Sequence, residues 1–170
     1  ETIQLNSQVF TYSQSLLDSA AGEQEEVREA QTSNTKEEVP EIVRYQGFRT
    51  AVTRAYEHRC VVCGVRMRSL DGHTAVDAAH IVPWSESHCD SVKNGLALCK
   101  LCHWTFDEYL ISLSPSRQIL VSPVLRNMGN MPAHLLSFEN REMFPPCDPK
   151  YSPGDAYLAQ HRQRFKEMRG

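Results

Sequence analysis

No apolar run in the 170-residue sequence approaches the roughly 20 residues that a membrane-crossing helix needs. The N-terminus also lacks the basic-then-apolar segment that directs secretion. No membrane partner is expected, and a cytoplasmic, reducing setting is the natural reading. There is no internal repeat and little net charge, −3. The small value conceals an asymmetry. Residues 1–40 hold two basic residues, Arg28 and Lys36, against eight acidic ones, a balance of −6. The remainder holds sixteen basic against thirteen acidic, a balance of +3. A mildly basic body behind an acidic arm is compatible with a nucleic-acid partner without requiring one. The length fits one domain with an appendage, or two small domains. The chain begins at Glu1 rather than Met, so it reads as a fragment, which leaves room for a partner domain.

A disulfide framework is the next absence. Of the six cysteines, four fall in two C-x-x-C pairs, and nothing directs the chain to an oxidising compartment. In Cys60-Val-Val-Cys63 and Cys99-Lys-Leu-Cys102, two intervening residues let both thiolates of a knuckle face one ion at about 2.3 Å. Four thiolates close a tetrahedral zinc site and leave no open position, so the expected zinc is structural. It joins a helix ending near Arg59 to a helix beginning near Lys100. Apparent binding energies of about 10–16 kcal/mol make such an ion part of the folding energy. A redox role reads poorly, since no βαβ pattern surrounds either pair. Cys89 and Cys147 are left as ordinary thiols.

Along the chain, "LNSQVFTYSQSLLDSAAG" predicts a helix with Leu5, Val9, Tyr12 and Leu16 on one side, ending near Gly22. The following "EQEEVREAQTSNTKEEVP" has little to bury and reads as a charged linker, helical or disordered. Residues 1–40 are thus an acidic arm. From Glu41, the residues Phe48, Ala51, Val52, Ala55 and Tyr56 lie at helical spacing. This helix runs towards Cys60. A turn over Arg68 to Thr74 precedes a strand-like run, "AVDAAHIVPW", which stops at Pro83, and a polar loop covers Ser85 to Val92. "LALC" reads as a strand and "KLCHWTFDEYL" as a helix. "LISL" and "QILVSPVL" predict a hairpin turning at "SPSR". A Pro-rich coil from Met143 to Pro153 leads to a last helix from about Gly154 to Met168.

Taken alone, His80 in its apolar run reads as a structural histidine. The 35 residues between the two cysteine pairs, however, exceed what a plain zinc ribbon needs, and they contain His80. Asn94 follows in "KNGLALC", where Asn-Gly is a strong turn signal, so Asn94 serves either the loop or the chemistry. His103 opens the next helix, with Asp107 four residues on and on the same face. Such a pair offers N and O ligands to one divalent cation, or makes a surface contact.

With these residues in line, "CVVCG…VDAAHIVPWS…NGLALCKLCHWTFDEYL" resembles the HNH endonucleases of the ββα-metal class. The likeness is to the restriction-type branch with A-H-I-x-P, N-G-L-x-L and H-x-x-F-D. "FRTAVTRAYEHRC" is similar to that branch's lead-in helix, "YLISLSPSRQILVSPVL" to its trailing hairpin, and "SPGDAYLAQHRQRF" to its closing helix. The resemblance runs from about Tyr45 to Met168 and leaves the arm outside. It implies an α+β fold, a ββα-metal (His-Me finger) nuclease core stapled by a four-cysteine zinc site, with flanking helices and a β-hairpin. The implied nuclease domain is 41–170, with its core at about 57–110 and the C-terminal hairpin and helix at 109–168.

The resemblance also implies roles. His80 matches the general base, Asn94 the residue that steadies the loop and orients the base, and His103 the metal ligand on the helix. The implied activity is Mg²⁺- or Mn²⁺-dependent hydrolysis of DNA, leaving 5′-phosphate and 3′-hydroxyl ends, as the cleavage module of a restriction or defence protein. One position departs from the pattern. Many relatives place Asp or His just before the base as a second ligand, and here that residue is Ala79. Asp107 is the preferred substitute, and Asp77 the alternative. Arg66, Arg68, Lys93 and Lys100 are candidate phosphate contacts, and simple exposed charges read nearly as well. His161 with Arg162 is expected to pack or to touch phosphate. Trp84 and Trp104 flank the site and read as core. The implied partners are DNA, a separate targeting domain or activating partner, and a homodimer as one way to cut both strands. The rival readings are a catalytically inactive zinc-stabilised DNA-binding or assembly module, and an HNH nuclease that cuts RNA.

Overall fold

A computed structural model describes residues 2–20, 39–126 and 132–167. The charged segment after the first helix therefore lies almost wholly outside the described residues, as do Gly22 and Met168. Helix α1 (Thr2–Ser19) packs against helix α2 (Glu41–Ala55). Its buried residues are Ser13, Leu17 and the following Ala20, while Leu5, Val9, Tyr12 and Leu16 are partly covered. The contact stripe is thus shifted by one residue from the expected one. Helix α2 buries Phe48, Ala51, Val52 and Ala55, the spacing expected of its apolar face. It ends four residues earlier than Arg59. Glu57 and His58 both take left-handed backbone (φ 50° and 60°), which stops the helix before the first knuckle.

Strand β1 (Val76–His80) pairs antiparallel with β2 (Gly95–Cys99), in a register that sets His80 opposite Gly95 and Val76 opposite Cys99. The polar stretch between them holds a short helix α3 (Trp84–Ser87) and a 3-10 turn over Val92–Asn94. Helix α4 (Lys100–Asp107) follows β2 directly, completing a ββα unit. The turn signal at Asn94-Gly95 is met by the 3-10 turn that Asn94 ends. Gly95 is extended (φ −127°), and its lack of a side chain serves packing. A Cβ there would lie 2.4 Å from Val52 Cγ2 and 3.0 Å from Phe48 Cζ, so α2 rests directly on the strand. Core side chains beneath this contact, such as Ile81, Leu96, Leu98 and Phe106, are almost fully buried. Each contributes on the order of 1.5–3 kcal/mol.

Strands β3 (Ile111–Leu113) and β4 (Ile119–Val121) make the expected hairpin, and "SPVL" leaves it as a 3-10 turn. Helix α5 (Asp155–Glu167) closes on β3 and α4. His161 is the pin. Its ring stacks on Phe106 (3.8 Å between centroids), Ser112 Oγ meets Nδ1 at 2.8 Å, and Nε2 lies 3.1 Å from the Phe106 carbonyl. The carbonyl only accepts, so Nε2 carries the proton and Nδ1 accepts from Ser112. Both ring nitrogens are satisfied, and the packing expectation for His161 holds. Among the described residues, no helix is long and apolar enough to cross a membrane.

Burial lowers the His161 pKa from 6.5 to about 4. The unfolded chain therefore takes up this proton first as pH falls. The stability from the neutral pin is full above pH 6.5 and is lost as pH falls through the window to about 4. The expected loss is about 3 kcal/mol. Urea unfolding at pH 7 and pH 4 should show this component in the wild type and not in His161→Gln.

Candidate active site and sulfur cluster

The site begins with the two cysteine pairs. Cys60 and Cys63 lie on the knuckle after α2, Cys99 ends β2, and Cys102 sits in the first turn of α4. Their four sulfurs all lie within 4.8 Å of one another, and Cys63 Sγ is 3.7 Å from Cys99 Sγ. A tetrahedron with metal–sulfur bonds of about 2.3 Å has edges near 3.8 Å. The spacing fits such an ion, and the four-cysteine cluster is suited to zinc. Val61 N–H donates to Ala97 O at 2.9 Å, tying the same knuckle to β2. Cys89 and Cys147 stand apart, and Cys89 Sγ lies 3.3 Å from Tyr157 Oη.

Across the ββα unit, β1 and α4 face a cleft of about 350 Å³ whose walls include Ala78, His80, His103, Asp107 and Tyr45. Strand alternation explains the lining: Ala78 and His80 point one way, while Ala79 is fully buried on the other face. On α4, Cys102, Thr105 and Phe106 are buried, which turns His103 and Asp107 outward to the cleft. His103 Nε2 and Asp107 Oδ2 are 3.4 Å apart. Two ligands at about 2.1 Å from one octahedral ion stand about 3 Å apart, so this donor pair fits a hard divalent cation that keeps most of its waters. Burial raises the Asp107 pKa, and the neighbouring His103 opposes that rise. Asp77 is placed differently. It does not line the cleft, and Arg49 Nε donates to its Oδ1 at 2.7 Å.

His80 is fixed on several sides. Phe48 stacks on its ring at 3.9 Å and 9°, and Trp84 lies tilted at 6.4 Å. Its Nε2 is 2.9 Å from Oδ1 of Asp90, a residue that no sequence motif singles out. An ionised carboxylate only accepts, so Nε2 carries the proton, and in the neutral ring Nδ1 is the nitrogen with the lone pair. Asp90 is 5% exposed and ion-paired with Arg44 Nη1 at 3.0 Å, and the Arg44 guanidinium lies 3.7 Å over Trp84. Trp84 is thus a platform for Arg44, whereas Trp104 is 56% exposed on α4, contrary to its reading as core. Nothing local marks Asp90. An acid in a polar loop is ordinarily a surface charge, and its partners lie 10 to 78 residues away.

Asn94 is wholly buried. Its Oδ1 accepts from Val82 N at 2.9 Å, and its Nδ2 donates to Val82 O and Cys89 O at 3.1 Å each. It therefore clamps the loop that carries Asp90 to the end of the strand that carries His80. None of the four candidate phosphate contacts lines the cleft. Arg66 and Arg68 are exposed close to His58, whose pKa burial lowers first, helped by Arg68, Arg66, Arg49 and Arg54. Lys100 is exposed at the start of α4, and the Lys93 carbonyl accepts from Gly154 N.

Residues 60–114, which span both knuckles, the ββα unit and β3, match the family profile of HNH endonucleases. The core is an HNH endonuclease fold. The HNH match covers the cysteine cluster and every candidate metal and base residue named above, and leaves α1 and α2 outside. Among solved structures, one chain described as a modification-dependent TagI restriction endonuclease is similar, with 23% identity and a TM-score of 0.49. The likeness covers 69% of this chain and 36% of that one, so this chain spans little more than a third of its length. No curated protein matches the sequence.

Removing the Asn94 clamp orphans a buried N–H and leaves a cavity. Asn94→Ala should lower stability by about 2–4 kcal/mol, read as a shift in urea midpoint with unchanged slope.

Proposed function

We propose that this chain is an HNH nuclease that hydrolyses DNA phosphodiester bonds, with His80 as general base. The observation that supports this most is the pairing of His80 Nε2 with a buried carboxylate beside a cleft that also holds His103 and Asp107. The Nε2–H···Asp90 bond fixes the tautomer, so Nδ1 is the nitrogen that takes a proton from water. Phe48 and Asn94 hold the ring and its loop in place, which keeps the entropic cost of alignment low at the moment of reaction. His103 and Asp107 are the residues that hold the catalytic Mg²⁺ or Mn²⁺, with Asp107 taking the part that Ala79 cannot. Such an ion supplies charge neutralisation at the scissile phosphate and the departing 3′ oxygen. The products are then a 5′-phosphate and a 3′-hydroxyl.

In this reading zinc fills the Cys60, Cys63, Cys99 and Cys102 site and serves folding alone. The exposed Arg66 and Arg68, with Arg54 nearby, give DNA a cationic surface that positions the backbone without reading sequence. Sequence or modification choice then belongs to a separate targeting domain, and the setting is a cytoplasmic restriction or defence protein. Two copies of the module supply a double-strand cut.

Supercoiled plasmid with Mg²⁺ or Mn²⁺ should be nicked by the wild type and not by His80→Ala, with zinc content and DNA binding unchanged. Equal cleavage by the variant, or no cleavage by the wild type with either metal, overturns the enzyme reading in favour of a binding module. Faster digestion of RNA in parallel reassigns the substrate. Stripping zinc with a strong chelator should abolish cooperative unfolding, whereas a zinc-free protein with the same melting curve removes the structural role.

A further inference from the structure

We propose that Asp90 is the positioning residue for His80, and that Tyr12 of α1 completes its hydrogen-bond shell, making the N-terminal helix part of the catalytic apparatus. The inference rests on the reading of His80 as the base. Asp90 Oδ1 accepts hydrogen bonds from His80 Nε2–H at 2.9 Å and Arg44 Nη1 at 3.1 Å. Its Oδ2 takes Arg44 Nη1 at 3.0 Å and the Tyr12 hydroxyl at 3.2 Å. Three elements far apart in sequence thus converge on one buried carboxylate, and one of its three partners is the candidate base. The division of labour is chemical. Arg44 keeps the carboxylate charged inside the protein, Tyr12 fills the remaining acceptor position of Oδ2, and Oδ1 is left aimed at His80.

A second observation shows that the Tyr12 contact is built into α2. Gly47 sits in the interior of that helix, where glycine is about 1 kcal/mol worse than alanine. A Cβ at Gly47 would lie 2.5 Å from Tyr12 Cδ1 and 3.3 Å from Tyr12 Cβ. The glycine leaves the room in which the Tyr12 ring lies close enough to reach Asp90. Burial and the Asp90 charge both raise the Tyr12 pKa, so the phenol stays protonated and acts as a donor. The segment matched to the HNH family begins at residue 60, so this part of the site comes from chain that the family profile does not describe.

The test uses the whole 170-residue chain with Asp90→Asn, Tyr12→Phe and Gly47→Ala. Plasmid nicking under Mn²⁺ gives kcat and KM separately. ¹⁵N-histidine NMR follows the His80 Nε2–H proton, identified as the resonance missing from His80→Gln. The wild type should show that proton far downfield, as an N–H bonded to a carboxylate. Asp90→Asn should lose this shift and lower kcat roughly tenfold to a thousandfold with KM unchanged. Tyr12→Phe and Gly47→Ala should move the resonance and lower kcat about twofold to tenfold, again without a change in KM. If Asp90→Asn does not fold, Tyr12→Phe, which deletes one hydroxyl, decides. An unchanged resonance with unchanged kcat in Tyr12→Phe overturns the role of α1, and the same result in Asp90→Asn overturns the whole proposal. A wild type that cleaves nothing removes the nuclease reading, and the resonance alone then judges whether Asp90 and Tyr12 set the state of His80.

Discussion

Four sulfur atoms from two segments 36 residues apart occupy one small volume, and the geometry of the cleft depends on that closure. The β1–β2 ladder has only five paired positions, and a two-stranded ribbon of that size is marginal on its own in water. The cluster joins the knuckle after α2 to the junction where β2 becomes α4. That junction sets the direction of α4, and the direction of α4 decides whether His103 and Asp107 look towards His80. Helix α2 then covers the face of the ribbon that carries His80, with Val52 and Phe48 seated over Gly95, the cross-strand partner of His80. Phe48 serves both ends of this chain of dependence, since its ring also stacks on His80.

What could be read from the sequence was what is local. Two C-x-x-C pairs carry their own geometry, because two intervening residues set the sulfur separation whatever surrounds them. The alternation of β1 and the helical spacing of His103 and Asp107 likewise need no knowledge of distant chain. The turn signal at Asn94-Gly95 is met by the 3-10 turn over Val92–Asn94, but Gly95 itself serves another purpose. Asn-Gly is common in left-handed turns because glycine tolerates positive φ, but here the glycine answers a steric demand from Val52 and Phe48 of α2, far away in sequence. Asn94 is buried as a clamp, and so its amide holds Val82 and Cys89 rather than its own turn. Trp104 shows the converse. Its place beside core residues in sequence suggested burial, yet the inward face of α4 is taken by Cys102, Thr105 and Phe106.

Asp90 was not legible at all, and its physics explains why. A buried carboxylate is tolerated only where its charge is neutralised and its oxygens are hydrogen-bonded. Here those partners are Tyr12, Arg44 and His80, drawn from α1, α2 and β1. No spacing rule connects them. The same holds for Trp84, whose ring supports the Arg44 guanidinium that neutralises Asp90. The first 40 residues are strongly acidic, yet the side chain of α1 that meets Asp90 is an uncharged phenol.

The position before the base then takes on a different meaning. The sequence pattern marks Ala79 as a missing metal ligand, on the premise that a side chain there reaches the ion. In this register Ala79 pairs with Leu96, is fully buried, and lies on the face opposite Ala78 and His80. A carboxylate added there would enter a fully buried layer, where its charge would need a partner such as Arg44 provides for Asp90. A small apolar residue at position 79 therefore suits a site that is fully buried. Asp77 shares that alternation and is already occupied by Arg49, so it offers no ready substitute. The oxygen donor that the cleft presents comes from α4, one helical turn beyond His103. The base and the metal pair would then sit on different elements, β1 and α4, held in mutual register by the sulfur cluster at one end and by the clamp of Asn94 at the other.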